Sequence, residues 1–323
     1  MIELMLGSAD LARIRFAGSH LEELVNSLDV LTGLRAGAMH RSWITATSPR
    51  VRGIDMATLT ALTCGSRFMA DFLAPPIDLV PCGFDVELEW VRAQPDEAIR
   101  SGIDEVRDGG PLPPVLRPLY ENPSAALGTL TDTLRAYWRA AIEPVWPRLS
   151  AVHQADIGYR MSHLVAGGFM RVFENLHPEV EFTGDRLLVH KSHHHAVRPA
   201  GDGLLLLPTV FAWPRLCVSY NPPYQPSLAY APRGIGHVWA STEQGPAQPL
   251  GELLGRNRAS LLAHLDLPLS TSQLASYLDM TAPAVSQHLA ILRRCQLVTS
   301  RRDGRWVLHQ RTDLATSLLN AAH

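Results

Sequence analysis

Thr271 to Gln310 read TSQLASYLDMTAPAVSQHLAILRRCQLVTSRRDGRWVLHQ. Ser270 and Thr271 are cap-type residues for a helix whose Leu274, Ala275 and Leu278 fall on one face. Asp279, Met280 and Thr281 interrupt it. Thr281 suits the N-cap of a second helix, with Pro283 in the first turn where a missing N–H costs nothing, and Val285, Leu289 and Leu292 recur at i, i+4 and i+7. Those three should face a core. The other side carries Ala282, Ser286, Gln287 and Arg293, short or amide-bearing at the end that meets base edges when such a helix lies in a major groove. After Gln296, two strand-like runs flank Asp303-Gly304, with Arg301, Arg302 and Arg305 beside the turn. The pattern predicts a helix-turn-helix followed by an arginine-tipped wing.

Two short amphipathic helices joined by a tight turn also occur as hairpins in ordinary cores, so the wing carries the argument. Between Thr281 and Arg311 six arginines (Arg293, Arg294, Arg301, Arg302, Arg305 and Arg311) face one acid, Asp303, in a chain of formal charge −2. Guanidinium groups on a projecting hairpin suit phosphates or a narrow minor groove, and would make affinity fall with salt.

The segment from about Leu250 to Asn320 resembles the DNA-binding domain of the ArsR (arsenical-resistance repressor) group of bacterial transcription regulators. AVSQHLAILRR, from Ala284 to Arg294, and the QLV and RRDGRWV stretches after it carry the resemblance, which covers only the last quarter of the chain. It implies a winged-helix dimer on double-stranded DNA at a promoter, with Thr281, Ala282, Ser286, Gln287 and His288 on the positions that approach the duplex. For His288, a phosphate contact and packing against the wing both stay open. The candidate DNA-contacting set is therefore Thr281, Ala282, Pro283, Ser286, Gln287, His288, Arg293, Arg294, Arg301, Arg302 and Arg305.

The sequence departs from the metal-sensing members of that group, which tend to carry a Cys-x-Cys motif before the turn or Asp and His ligands on the last helix. Here the first helix has no cysteine and Leu314 to Asn320 carries no ligand. Cys64, Cys82, Cys217 and Cys295 are scattered, with no pair at metal-site spacing. Cys295 reads as a small buried apolar residue before it reads as a redox trigger. In the run His190-Lys191-Ser192-His193-His194-His195, an extended backbone would place His193 and His195 on one face about 7 Å apart. Two imidazoles there could share an ion given a third ligand, but such runs are usually solvated. No metal and no cofactor is expected.

A chain of 323 residues, 46% hydrophobic and 19% charged, is globular and long enough for two domains. The expected class is α+β: residues 1–245 form a mainly helical domain with a small antiparallel β layer, and 246–323 the winged helix, with the junction near Gly245. Met1 to Leu6 suits a strand. Ser19 and Glu22 make a capping-box pattern ahead of Leu21, Leu24, Val25 and Leu28. Further helices are expected over Gly37 to Ala46, Asp55 to Cys64, Pro95 to Arg107, Ser124 to Glu143 and Pro147 to Leu176. Phe72 to Phe84 should be irregular, and Phe84 to Val91 suits either a strand or a helix start. Glu181-Phe182, Arg186 to His190, Leu204 to Val210, Arg215 to Tyr220 and Ser227 to Ala231 are short runs between Gly and Pro turns, as in an antiparallel sheet.

The longest apolar run, Leu204 to Trp213, is too short to span a membrane, no basic and apolar leader precedes the first helix, and the expected location is cytoplasmic. Gly-x-Ser-x-Gly, phosphate-loop and HExxH patterns are absent, and Gly167-Gly168 falls inside an expected helix, so an enzyme is not expected. The expected function is a sequence-specific transcription regulator, a dimeric repressor answering to a small organic effector held by the large first domain. Aromatic content, 7%, is too ordinary to outline a pocket. A protein-interaction module with a degenerate winged helix is the alternative, followed by a metal-responsive regulator or an enzyme.

Overall fold

A computed structural model describes the chain except residues 36–38, 64–68, 75–82, 222–223, 240–247, 266–267, 279, 304–305 and 322–323. The contacts divide it into two units. Unit 1 comprises Met1–Gly37 and Arg41–Ala231, and unit 2 comprises Ala38–His40 and Pro232–His323. The junction expected at Gly245 lies outside the described residues.

Unit 1 is built around α2 (His20–Leu31), which is buried along its whole length from Leu21 to Val30. The expected apolar face is there, but so are Glu22, Glu23, Asn26 and Asp29, which a helix at the surface would have turned to water. Half of the expected capping box forms. Ser19 Oγ accepts from the Glu22 N–H at 3.1 Å, while the carboxylate that meets the next N–H groups is Glu87, from α5 (Phe84–Arg92). Glu87 accepts from His20 N at 3.0 Å, Leu21 N at 2.8 Å and Ser19 Oγ at 2.9 Å. A buried negative charge on an N-terminus is favoured by both the orphan donors and the helix dipole. The Phe84 segment is thereby helix rather than strand.

The remaining helices follow the sequence closely: α3 (Arg41–Thr47), α4 (Met56–Thr63), α6 (Asp96–Arg107) and α8 (Pro123–Tyr137), the last running into a wider turn over Trp138–Ile142. Helix α9 (Trp146–Phe173) differs from expectation. Gly167 (φ −161°, ψ 19°) and Gly168 (φ 68°, ψ −165°) break it, the second in a region that side chains with a Cβ rarely adopt. Short helices absent from the sequence reading, α1 (Ser8–Ala12) and α7 (Arg117–Glu121), complete the layer.

The β layer is present but not purely antiparallel, and it draws on the amino terminus. Strand β1 (Ile2–Met5) lies between β4 (Arg186–Val189), antiparallel, and β5 (His195–Val197), parallel, with β3 (Val180–Phe182) outside β4. In the second sheet β2 (Arg15–Phe16), β6 (Leu205–Pro208) and β8 (Ser227–Tyr230) run parallel, and β7 (Cys217–Ser219) closes one edge antiparallel to β8. Leu206, Leu228 and Tyr230 turn to a core shared with Ile2, Leu4, Leu187 and Val189, while Leu205, Leu207 and Ala229 pack on the opposite face. Burial on both faces explains why β6 reads as an unbroken apolar run. Among the described residues no helix is long and apolar enough to cross a membrane.

Unit 2 carries α10 (Gln248–Leu254), α11 (Arg256–His264), β9 (Leu269–Ser270), α12 (Thr271–Tyr277), α13 (Ala282–Arg294), β10 (Val298–Asp303), β11 (Trp306–Arg311) and α14 (Asp313–Ala321). It is a winged helix-turn-helix.

Candidate nucleic-acid interface

Helix α12 begins with a complete reciprocal cap. Ser270 Oγ accepts from Gln273 N at 3.2 Å, and Gln273 Oε1 accepts from Ser270 N at 2.8 Å. Leu274, Ala275 and Leu278 are buried as their spacing requires. Helix α13 is capped by Thr281, whose Oγ1 accepts from Ala284 N at 3.4 Å. Its Val285, Leu289 and Leu292 are 0, 2 and 1% exposed, so the register of the helix is fixed. That register leaves Thr281, Ala282, Pro283, Ser286 and Gln287 exposed together at the N-terminal end, and Arg293 and Arg294 exposed in the last turn. His288 is half-buried, and its Nδ1 has no hydrogen-bond partner among the described residues. The helix ends on Gln296 at φ 58°, where Leu297 N returns to Leu292 O at 2.9 Å. Cys295, expected to be a small buried residue, is exposed beside this stop, because the cap turns it outward from the Leu292 face.

The wing is longer than the sequence reading, with strands pairing from Val298↔Arg311 to Asp303↔Trp306. Its turn and Arg305 lie outside the described residues. Alternation separates the two described arginines of the tip. Val298 is buried and Ser300 bonds inward, so Thr299 and Arg301 project from the outer face and Arg302 from the other; both arginines are exposed. Arg311, counted among the positive residues of the wing, serves the scaffold. Its Nη1 donates to Leu262 O at 3.3 Å and Ala263 O at 2.9 Å, closing the end of α11, and its Nε donates to Thr316 Oγ1 at 3.2 Å.

His309 is a residue that sequence reasoning missed. Only 5% exposed, it links the wing to the start of α12, with Nδ1 2.7 Å from Ser300 Oγ and Nε2 3.2 Å from Thr271 Oγ1. Burial, and then the Arg293 guanidinium, hold its pKa below the ordinary 6.5. A histidine with a depressed folded pKa favours the fold while neutral. That contribution is fully present above the unfolded pKa and is lost as pH falls from there through the folded one. Acidification below about pH 6.5 should therefore lower hydrogen-exchange protection of β10 and β11 in the native protein more than in His309→Gln. Equal pH slopes in the two proteins would remove His309 from this role.

His193 and His195 are not brought together as alternate residues of one strand. Only His195 belongs to β5, and His193 occupies a bend before it. Both instead contact Tyr220. The His195 ring stacks on it at 4.6 Å, and His193 Nε2 lies 3.4 Å from its hydroxyl. Among the described residues no group of three or more His, Cys, Asp or Glu side chains is placed to hold a metal.

Residues 260–300 match the model of the arsR family of bacterial regulatory proteins, and residues 113–234 match a family of unknown function, DUF5937. The chain is also similar to the HTH-type transcriptional regulator KmtR of Mycobacterium tuberculosis (strain ATCC 25618 / H37Rv), with 39% identity over 64 residues, 18% of this chain and 49% of the relative. The chain thus spans about half the length of that curated relative. No solved structure matches. The fold of unit 2, the exposed end of α13 and the family match coincide on the same residues, and the chain carries an ArsR-family helix-turn-helix at its carboxy-terminal end, joined to a large additional amino-terminal region.

Proposed function

We propose that the protein is a DNA-binding transcription regulator in which α13 enters the major groove and the wing tracks the phosphate backbone. The observation that carries this reading is the register of α13: burial of Val285, Leu289 and Leu292 leaves Ser286 and Gln287 exposed on the side away from the core. An exposed amide at that end suits bidentate recognition of adenine, and small neighbours allow close approach. Arg293, Arg294, Arg301, Arg302 and Arg305 supply backbone contacts, and the name of the matched relative, a transcriptional regulator, agrees.

The protein acts as a homodimer, because one winged helix reads too few base pairs and paired half-sites restore specificity. It is a repressor: bound at a promoter it excludes the polymerase, and a small organic effector in unit 1 releases it. An effector shifts this equilibrium only by binding one state better than the other. Its place of action is the cytoplasm, and its role is regulatory rather than catalytic.

Gln287→Ala tests the direct contact. It should cost about 1–3 kcal/mol on the cognate duplex and little on a scrambled one in a paired titration. Equal losses on both duplexes would show that Gln287 reads no base.

A further inference from the structure

We propose that the outward arc of α9, from Gln154 to Ala166, pairs with the same arc of a second copy of this chain. The proposal rests on the homodimer reading above and names the surface that forms it, but association can be measured without DNA.

Over the middle of its length α9 carries its charges inside and apolar side chains outside. At about 100° per residue, Gln154, Gly158, Met161, Ser162, Val165 and Ala166 fall on one continuous arc, and all of them are exposed. Asp156 and Arg160 lie on the opposite side, buried and paired with each other at 2.8 Å. Among the described residues between Arg148 and Arg171, none that is exposed is acidic or basic. A helix with one face in water ordinarily does the reverse. Val165, 87% exposed, and Met161, 43% exposed, stand in solvent instead.

The shape of the arc is self-complementary. Gly158, Ser162 and Ala166 recur at i, i+4 and i+8 as a shallow groove, and Met161 and Val165 form the ridge beside it. A Cβ on Gly158 would meet nothing within 4 Å among the described residues, so no contact inside the chain explains a glycine there. Glycine in an exposed helix interior costs stability, and it leaves room for another backbone to approach. The Ser162 hydroxyl donates back to Tyr159 O at 2.6 Å and asks little of a partner. Two copies related by a two-fold axis would each seat the ridge of Met161 and Val165 in the groove of the other.

Charge selects the occupant. Duplex DNA requires cations that the arc lacks, and an acidic or basic protein segment would find no opposite charge on it. A membrane-surface helix keeps its charged face toward water, whereas the charged face of α9 is buried. An isologous contact needs no complementary charge, and homodimer cores are apolar and poor in charged residues. Pairing here would also bring together the two readers that specificity requires.

The test is sedimentation equilibrium of the full chain without DNA, over a concentration series. The native chain should be a dimer. Val165→Arg and Val165→Glu should each weaken it at least about tenfold, because like charges would meet near the middle of the arc. An equimolar mixture of the two variants should regain the dimer. Leu314→Arg, at an exposed position of α14, should leave it intact. Val165 is so exposed that both of its variants should keep the native melting temperature. A monomeric native chain, a dimer that both Val165 variants leave intact, a mixture that stays monomeric, or a dimer that only Leu314→Arg dissolves would overturn the proposal. A dimer lost with Val165→Arg, in a chain that ignores duplex DNA, would support this surface and contradict the regulator.

Discussion

Asp156→Ala should destabilise unit 1 by about 3–5 kcal/mol, the range for removing one partner of a buried ion pair. Arg160 is the largest fully buried side chain among the described residues, 1% exposed. Its Nε donates to Asp156 Oδ2 at 2.8 Å, its Nη1 to Val172 O at 3.0 Å, and its guanidinium lies 4.8 Å from the centre of the Tyr230 ring. The Tyr230 hydroxyl donates to the same Asp156 oxygen at 2.7 Å. The Val172 contact bridges the glycine break of α9, so one guanidinium joins both halves of the helix to β8. Without the carboxylate, a charge and a phenol stay buried with fewer partners, and their desolvation cost is no longer offset. Hydrogen exchange should show protection falling in α9 and β8 while α13 keeps its own. A loss under about 1 kcal/mol would mean that the pair is solvated in solution.

Leu289→Ala should cost unit 2 about 2–5 kcal/mol, since it removes a side chain 2% exposed at the centre of the buried face of α13. The functional effect follows from the same geometry. Leu289 lies between Val285 and Leu292, and these three fix the rotation of the helix that presents Ser286 and Gln287. A loosened register should weaken cognate DNA binding more than nonspecific binding, because phosphate contacts tolerate misplacement that base contacts do not. The check is exchange protection of residues 282–294 in Leu289→Ala, with residues 20–31 as the internal control. Unchanged protection over 282–294 would show that the packing of α13 is not what holds it.

Unit 2 was legible in the sequence because its signals are local. Thr281 with Pro283, the i, i+4, i+7 apolar pattern of Val285, Leu289 and Leu292, and the arginine-flanked hairpin each specify structure within a few residues. What escaped was set by partners far along the chain. The parallel pairing of β1 with β5 joins residues nearly two hundred positions apart, Ile2 with His195, and no periodicity announces it. Met1 to Leu6 reads as a strand, but its neighbours do not. Glu22 resembled a helix cap, yet Glu87, brought by α5, takes that place, and the Glu22 carboxyl is buried against Asn26 instead. Nothing local marks His309, whose ring nitrogens meet Thr271 and Ser300 from other elements. Gly167-Gly168 reads as tolerated helix, because the φ of 68° at Gly168 is a tertiary choice. Among the aromatic residues, Trp43, Tyr137, Trp138, Trp213 and Tyr230 are buried, while Trp90, Trp146, Tyr159, Tyr220 and Tyr224 are only partly so, a division that composition does not foretell.

The central claim, that unit 2 reads DNA through α13 and the wing, is tested most directly by titrating the full chain with a labelled duplex from its own upstream region and with a scrambled duplex, at two salt concentrations. The account predicts tighter binding to the native duplex, and affinity for both that falls steeply with salt, with a log–log slope of about −0.9 per phosphate neutralised. Replacing Arg301 by Ala should then reduce that slope by about one while preserving the preference between duplexes. Weak binding that is equal on both duplexes and indifferent to salt would contradict it.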